Sequence, residues 1–439
     1  MKRNYERLWA QVSARKQRLK VKISQLFNAE IDDRAERHAA EIAEAESIVE
    51  SAGGLRGGVA KAAQLRAYLQ GTDGLNPDAQ RVLSKLWDHI PGEKPRAIAQ
   101  VIVSELGAEP ETLFAHFDDM PFAAASLGQV HAARLADGQE LAVKVQYPFA
   151  EAALRDDLAQ KSVLQELVGA ELGEAVSKES IAALRERLLG ELDYQAEAES
   201  LRRFKRAFAS APDIVIPAVL TKLSTKRVLT MERLFGRSLP ELTKSGSNSE
   251  RAQVATTLFR FAFASVWRHR ILNLDPNPGN YVVLDSPTPA ARVGFIDFGC
   301  TAELPEAIVE ADRQIFLAMM HRDGEELRYA AHRASLIERA ASFHSSTYRS
   351  WEQTLAAPFL SRTPSLLDPA WARELAELTW RLVKTGRLLL PPAALLLWRQ
   401  RLGMLAVLSG LRPELPLRQL LSELLDDGNH PVPLYERYR

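Results

Sequence analysis

The feature that most constrains this chain is a change of period at residues 129–146. There the spacing becomes a two-residue alternation: Gln129-Val-His-Ala-Ala-Arg-Leu135, a turn at Asp137-Gly138, then Glu140-Leu-Ala-Val-Lys-Val-Gln146. Alternating runs on either side of Asp-Gly predict a β-hairpin. Both flanks are helical. Residues 1–50 hold no Gly or Pro, and Tyr5, Leu8, Val12, Leu19, Ile23 and Leu26 gather mostly on one helical face. Gly53-Gly54 and Gly57-Gly58 break that run, a second helix is predicted over 59–70, and helix continues to about Phe117. After the hairpin, residues 151–210 read as long helices and 214–216 and 227–231 as short strands. Residues 244–249 read as a polar loop, and the rest is nearly all helix except a loop-and-strand segment at 273–299. The pattern is α+β: a small mixed lobe, then a helical lobe.

A chain of 439 residues supports two or three compact units. Lys plus Arg total 56, as do Asp plus Glu, so no overall field draws the chain to nucleic acid. The single cysteine, Cys300, forms no intramolecular disulfide, and the nine histidines fall in no metal-finger spacing. These features point to a reducing, cytoplasmic setting, with Cys300 as a small packing residue. The first residues turn charged before a signal-peptide core can form. The longest apolar tract, 388–398, contains Pro391 and Pro392 and falls short of the roughly 20 residues of a membrane span. Lys2, Arg3, Arg7, Arg15, Lys16, Arg18, Lys20 and Lys22 crowd the first helix. Such a basic amphipathic helix either lies on the anionic inner face of a membrane or docks by its apolar stripe.

Lys144 sits among Ala142, Val143 and Val145 in the second hairpin strand. Alone, a strand lysine marks a solvated face. Upstream, however, runs Pro121-Phe-Ala-Ala-Ala-Ser-Leu-Gly128, whose small side chains would let backbone approach phosphates while Lys144 reaches their oxygens. Asp275-Pro-Asn-Pro-Gly-Asn280 is a turn sequence, followed by Gly294-Phe-Ile-Asp-Phe-Gly299. An Asp, an Asn five residues on and a second Asp after the next strand match phosphoryl transfer, which needs oxygen ligands for Mg²⁺ and a separate carboxylate for the acceptor. In Glu191-Leu-Asp-Tyr-Gln-Ala-Glu197, helical spacing would put Asp193 and Glu197 on one face and Glu191 roughly opposite. An acid on this helix would hold Lys144 straight.

The order and wording of these segments resemble the UbiB/AarF-type atypical protein-kinase-like family, linked to ubiquinone biosynthesis. The resemblance covers roughly residues 50–410, and its most specific part is Ala123-Ala-Ala-Ser-Leu-Gly-Gln-Val-His131 with Ala142-Val-Lys-Val-Gln-Tyr-Pro148. Conventional kinases show glycines in that loop where this family shows alanines. The resemblance implies a bilobal protein-kinase-like fold. Together with the periodicity it divides the chain into an amphipathic helix (1–50), a helical extension (51–117), an N-lobe (118–235) and a helical C-lobe (236–439).

It further implies ATP or ADP with Mg²⁺ as cofactors. Lys144 would contact phosphates, with Glu197 as its salt-bridge partner, beneath a loop of Ala123, Ala124, Ala125 and Ser126. Met231, Glu232 and Leu234 resemble the hinge that holds adenine, Asp275 the catalytic-loop acid, and Asn280 and Asp297 the metal ligands. Glu191 and Asp193 match a Glu-x-Asp motif, and Lys61 and Gln64 a Lys-x-Gly-Gln motif that restricts access in relatives. Three positions depart: Ala63 stands for the usual Gly, and Asn273 and Asn277 for the usual histidines. Metal and nucleotide binding should survive those changes, with turnover less secure. The expectation is an atypical kinase or ATPase supporting isoprenoid-quinone or other lipid metabolism; the alternative is a nucleotide-dependent scaffold or chaperone-like partner of biosynthetic enzymes.

Overall fold

The hairpin lies at the centre of a five-stranded antiparallel sheet in the computed structural model, which describes residues 93–125, 127–159, 182, 185–186, 189–285, 291–337, 346–389 and 391–425. The expected N-terminal helix, Lys61, Ala63, Gln64 and Ser126 lie outside the described residues. Helix α1 (Pro95–Leu106) begins on a proline and ends at Gly107, whose φ of 78° is the left-handed stop that glycine favours. A short α2 (Pro110–Leu113) follows, then β1 (His116–Phe117). Helix was expected to run through Phe117. Instead His116 and Phe117 pair with Arg134 and Ala133, because Gly107 closes α1 and only one helical turn fits before the chain meets the sheet.

Strand β2 (Ala123–Ala125) pairs with the start of β3 (Gly128–Arg134), and β1 pairs with its end, so the two segments share one edge. Strand β3 pairs with β4 (Glu140–Gln146). Past α3 (Ala150–Ala159), α4 (Tyr194–Ala207) and β5 (Ile214–Val215), β6 (Val228–Glu232) returns to the far side of β4. Strand β4 is covered on both faces. Leu141, Val143 and Val145 pack with Ile98, Val101 and Ile102 of α1, whereas Ala142 shares a core with Tyr194, Ala198 and Leu201 of α4. By strand alternation Lys144 follows Ala142 toward α4, and it is only 6% exposed.

The second lobe opens with β7 (Gly236–Ser238), α5 (Leu239–Ser245) and the 20-residue α6 (Asn248–Trp267). The polar stretch expected as a loop is mostly helix. Ser238 and Glu241 form a capping box on α5, and the Ser247 hydroxyl accepts the Glu250 N–H to cap α6, so the serines start helices rather than interrupt them. Helix α6 is buried nearly all round and forms the axis of the lobe. Around it gather α7 (Glu306–His321), α8 (Gly324–Arg333), α9 (Ser346–Leu360), α10 (Pro369–Lys384), α11 (Pro392–Leu411) and α12 (Leu417–Leu425). Arg401 of α11 and Trp267 of α6 both donate to the buried Asp312 of α7, at 2.8 and 2.7 Å. No described helix is long and apolar enough to cross a membrane.

The strand-bearing interruption is wider than its sequence suggested. Strand β8 (Ile271–Asn273) pairs with β11 (Thr301–Glu303), and β9 (Tyr281–Leu284) and β10 (Arg292–Phe295) lie in a sheet ordered β5-β10-β9-β7. A further pair, β12 (Ser365–Leu366) with β13 (Glu414–Leu415), joins late segments.

Candidate functional site

The two lobes meet at Lys144. Its Nζ lies 2.9 and 3.0 Å from the two carboxylate oxygens of Glu197 on α4, and 3.2 Å from Oδ2 of Asp297 beyond β10. The ammonium also sits 5.0 Å from the ring centroid of Tyr194, a cation–π distance. Burial by itself lowers the Lys144 pKa, but the Asp297 and Glu197 carboxylates outweigh it and hold the ammonium well above its ordinary range. The same burial pushes the Glu197 carboxyl up to about 7, with Lys144 opposing it. Lys144, Glu191, Tyr194, Glu197, Asp275, Asp297, Leu127, Gly299 and Cys300 line a single cavity.

The two acidic loops are stitched together. Asn273 Oδ1 accepts the Asp275 N–H and its Nδ2 donates to the Asp297 carbonyl, both at 3.0 Å. Leu274 N–H donates to Cys300 O and Ile296 N–H to Asn280 O. Asn280 Nδ2 donates to both the carbonyl and a carboxylate oxygen of Asp275, at 3.0 Å each. Those bonds use the amide nitrogen and leave Asn280 Oδ1 as the oxygen for a ligand.

Glu191 and Asp193 stand otherwise than helical spacing suggested. Helix α4 begins only at Tyr194, and Asp193 is its N-cap, accepting the Gln195 and Ala196 N–H groups at 3.0 and 3.2 Å. Asp193 therefore faces backbone, while Glu191 lies in the preceding turn and lines the cavity instead of pointing away. Ala123, Ala124 and Ala125 form β2, a strand within the sheet, and Ala123 and Ala125 are not among the described residues that line the cavity. The neighbouring Leu127 is, and its carbonyl accepts the Tyr147 N–H at 3.0 Å. Gly128 is required here, since a Cβ would fall 2.2 Å from Val145 O.

The expected hinge residues lie at the end of β6 and just after it, and are not among the described residues that line the cavity. Met231 is buried opposite Ala142, and Leu234 packs its Cδ1 against the Gly294 backbone. Glu232 donates its backbone N–H to Ala218 O at 2.8 Å.

Sequence reading passed over Leu127 and Tyr194. It also passed over a buried relay in which Glu93 N–H donates to Gln129 Oε1, Gln129 Nε2 to His131 Nε2, and His131 Nδ1–H to Asp118 O, at 2.7, 2.8 and 2.7 Å. Alternation places Gln129 and His131 on one face of β3 and was the signal for the pair; nothing in the sequence placed Glu93 beside them. A further contact joins the start of β2 to the segment after β6, where the Arg233 guanidinium lies 4.6 and 4.9 Å from the rings of Phe122 and Phe235.

The donor set suits a magnesium nucleotide. Four carboxylates, Glu191, Glu197, Asp275 and Asp297, face one ammonium in the cavity, and Asn280 adds an amide oxygen beside Asp275. Oxygen donors in excess of local positive charge favour a hard divalent cation. No cluster of three or more His, Cys, Asp or Glu ligands stands preassembled among the described residues, so phosphate oxygens and water would complete the shell.

The chain is 32% identical over 260 residues to the Rattus norvegicus protein named atypical kinase COQ8B, mitochondrial, a match covering 59% of this chain and 48% of that one. It is 29% identical over 326 residues to a Xylella fastidiosa probable protein kinase UbiB, covering 72% and 58%. The chain thus spans about half the length of the curated relatives it matches. Among solved structures, Rv3197 of Mycobacterium tuberculosis, determined in complex with erythromycin, superposes with a TM-score of 0.62 at 28% identity, covering 86% of this chain and 95% of that one. Residues 85–331 match the ABC1 atypical kinase-like domain. That segment contains Lys144, Glu197, Asp275, Asn280 and Asp297 in kinase order, within a bilobal fold whose lobes meet at them. The chain belongs to the ABC1 atypical kinase-like family, the UbiB/AarF-type group.

Proposed function

We propose that the chain binds Mg·ATP or Mg·ADP between its lobes and acts as an atypical kinase or ATPase. The observation that carries this reading is Lys144 held between Glu197 and Asp297 in a cavity that Asp275 also lines. In this reading Lys144 binds phosphate oxygens and Glu197 keeps its ammonium in place. Asp297 and Asn280 would hold the metal, which would supply positive charge to offset that developing on the phosphate oxygens. Asp275 takes the proton of the attacking hydroxyl or water at its carboxylate, and the amide of Asn280 fixes the orientation of that carboxylate. Lys144 must exchange its 3.2 Å contact with Asp297 for a phosphate as ligand arrives, which frees Asp297 for the cation.

The test is thermal stabilisation by Mg·ATP and Mg·ADP. A ligand at about 100 times its Kd adds about 2.7 kcal/mol. Wild type should show a clear shift and Asp297→Asn a much smaller one; no shift in wild type ends the reading.

A second reading, a nucleotide-dependent scaffold or chaperone-like partner of biosynthetic enzymes, draws on Asn273 and Asn277. Both side chains are spent on backbone, Asn273 as above and Asn277 on the Gly279 N–H at 2.9 Å, and neither brings an imidazole near Asp275. Phosphate release with and without lipid vesicles separates the two, since turnover lost in Asp275→Asn supports catalysis and a flat baseline supports the scaffold. A role in isoprenoid-quinone or other lipid metabolism, enzyme partners in that pathway, and membrane contact through residues 1–27 complete the proposal. Cosedimentation with anionic vesicles before and after deletion of 1–27 checks the last of these.

A further inference from the structure

Among the described residues, Tyr194 combines three properties. Its side chain lines the cavity, it is 2% exposed, and its hydroxyl has no hydrogen-bond partner. A buried hydroxyl left unsatisfied is costly, and proteins rarely keep one without a use. Its surroundings narrow that use. Lys144, Glu197, Asp297 and Glu191 all act on the phenol electrostatically, and burial raises it well above its ordinary range, so it remains a neutral O–H. A neutral O–H among carboxylates, beside the one ammonium lining the cavity, is equipped to donate to an anion that arrives at that ammonium. Helix α4 fixes the ring, because Tyr194 is its first residue and Asp193 caps it one position earlier.

We propose that the Tyr194 hydroxyl is a ligand-contacting donor, completing its hydrogen bonding only when a polyphosphate oxygen enters beside Lys144. This rests on the nucleotide reading above. It adds a neutral donor beside the charged Lys144 at the phosphate end of the site, one that the motif residues do not supply. The ring and the hydroxyl then have separate duties: the ring steadies the Lys144 ammonium, and the hydroxyl reads the phosphate.

Tyr194→Phe separates them, since it keeps the ring and removes only the oxygen. Two quantities are measured on the full chain: thermal stability without nucleotide, and Mg·ATP affinity by titration calorimetry. The melting temperature of Tyr194→Phe should equal or exceed that of wild type, because no made bond is lost. Mg·ATP affinity should fall about tenfold, the usual effect of deleting a hydrogen bond to a charged group. Unchanged affinity overturns the proposal. So does a lower melting temperature without nucleotide, whatever the affinity, because it would mean that the hydroxyl is already satisfied in the free protein, by a buried water for instance. Failure of wild type itself to bind Mg·ATP would instead remove the nucleotide reading.

Discussion

Lys144 and Asp297 lie 153 residues apart in the chain, yet their charged atoms meet at 3.2 Å, with Glu197 closing the group from α4. Three elements distant in sequence share one ion-paired contact, and the small lobe is tied through it to the large one.

Removing the lysine should therefore cost stability as well as binding. Lys144→Met leaves the buried Glu197 carboxylate without its counter-ion and should destabilise the free protein by about 3–5 kcal/mol. The double variant Lys144→Met/Glu197→Leu should recover a large part of that loss, because no unpaired charge remains. Urea denaturation of the two single variants and the double variant measures the coupling.

Asn273→Asp keeps the acceptor for the Asp275 N–H but replaces the donor to the Asp297 carbonyl with a carboxylate oxygen. A loss of about 1–3 kcal/mol is expected, with weakened Mg·nucleotide binding as the Asp275 and Asp297 loops separate. Thermal melts with and without Mg·ADP report both effects.

Gly128→Ala should destabilise by about 1–3 kcal/mol or more, since its Cβ would collide with Val145 O and force β3 away from β4. Gly138→Ala, in the hairpin turn, also carries strain because φ there is 88°, but no atom lies within 4 Å of its Cβ. Comparing the two melting temperatures separates collision from backbone strain.

The Gln129–His131 relay gives a pH signature. Burial lowers the His131 pKa below its ordinary 6.5, with Asp118 and Asp119 partly offsetting it. A depressed folded-state pKa means that the neutral ring contributes stability above about pH 6.5 and loses it as pH falls further. Protonated Nε2 would also face the Gln129 amide donor and loosen the bond to Glu93. Between pH 7 and 5, wild type should lose more stability than His131→Gln, and the protection factor of the Glu93 amide, its exchange rate corrected for the intrinsic pH dependence, should fall in wild type alone.

Much of this architecture was legible in the residues, and the exceptions share a cause. The 129–146 hairpin followed from alternation and Asp137-Gly138, and the register of β3 with β4 agrees with it. Strands of two or three residues, such as His116–Phe117 and Ser365–Leu366, are too short to show a period. Ser247, within the stretch 244–249, reads as loop because the same side chains that favour turns also cap helices. At the site, motif order singled out Lys144, Glu197, Asp275 and Asp297, which the fold brings to one cavity. Glu191 and Asp193 exchange places because the helix begins only at Tyr194, so helical spacing does not hold for the residues before it. Tyr194 escaped because a buried, unpartnered oxygen is a property of packing, which no pattern of residue types encodes.

Leu127 is rooted in the same apolar cluster as α1, β4 and Val228, and its carbonyl is bonded to Tyr147. A side chain that lines the cavity is thereby built into the small lobe's apolar interior, so a substitution that loosens the packing of α1 on β4 would be felt at the cavity wall without touching any of its charged groups.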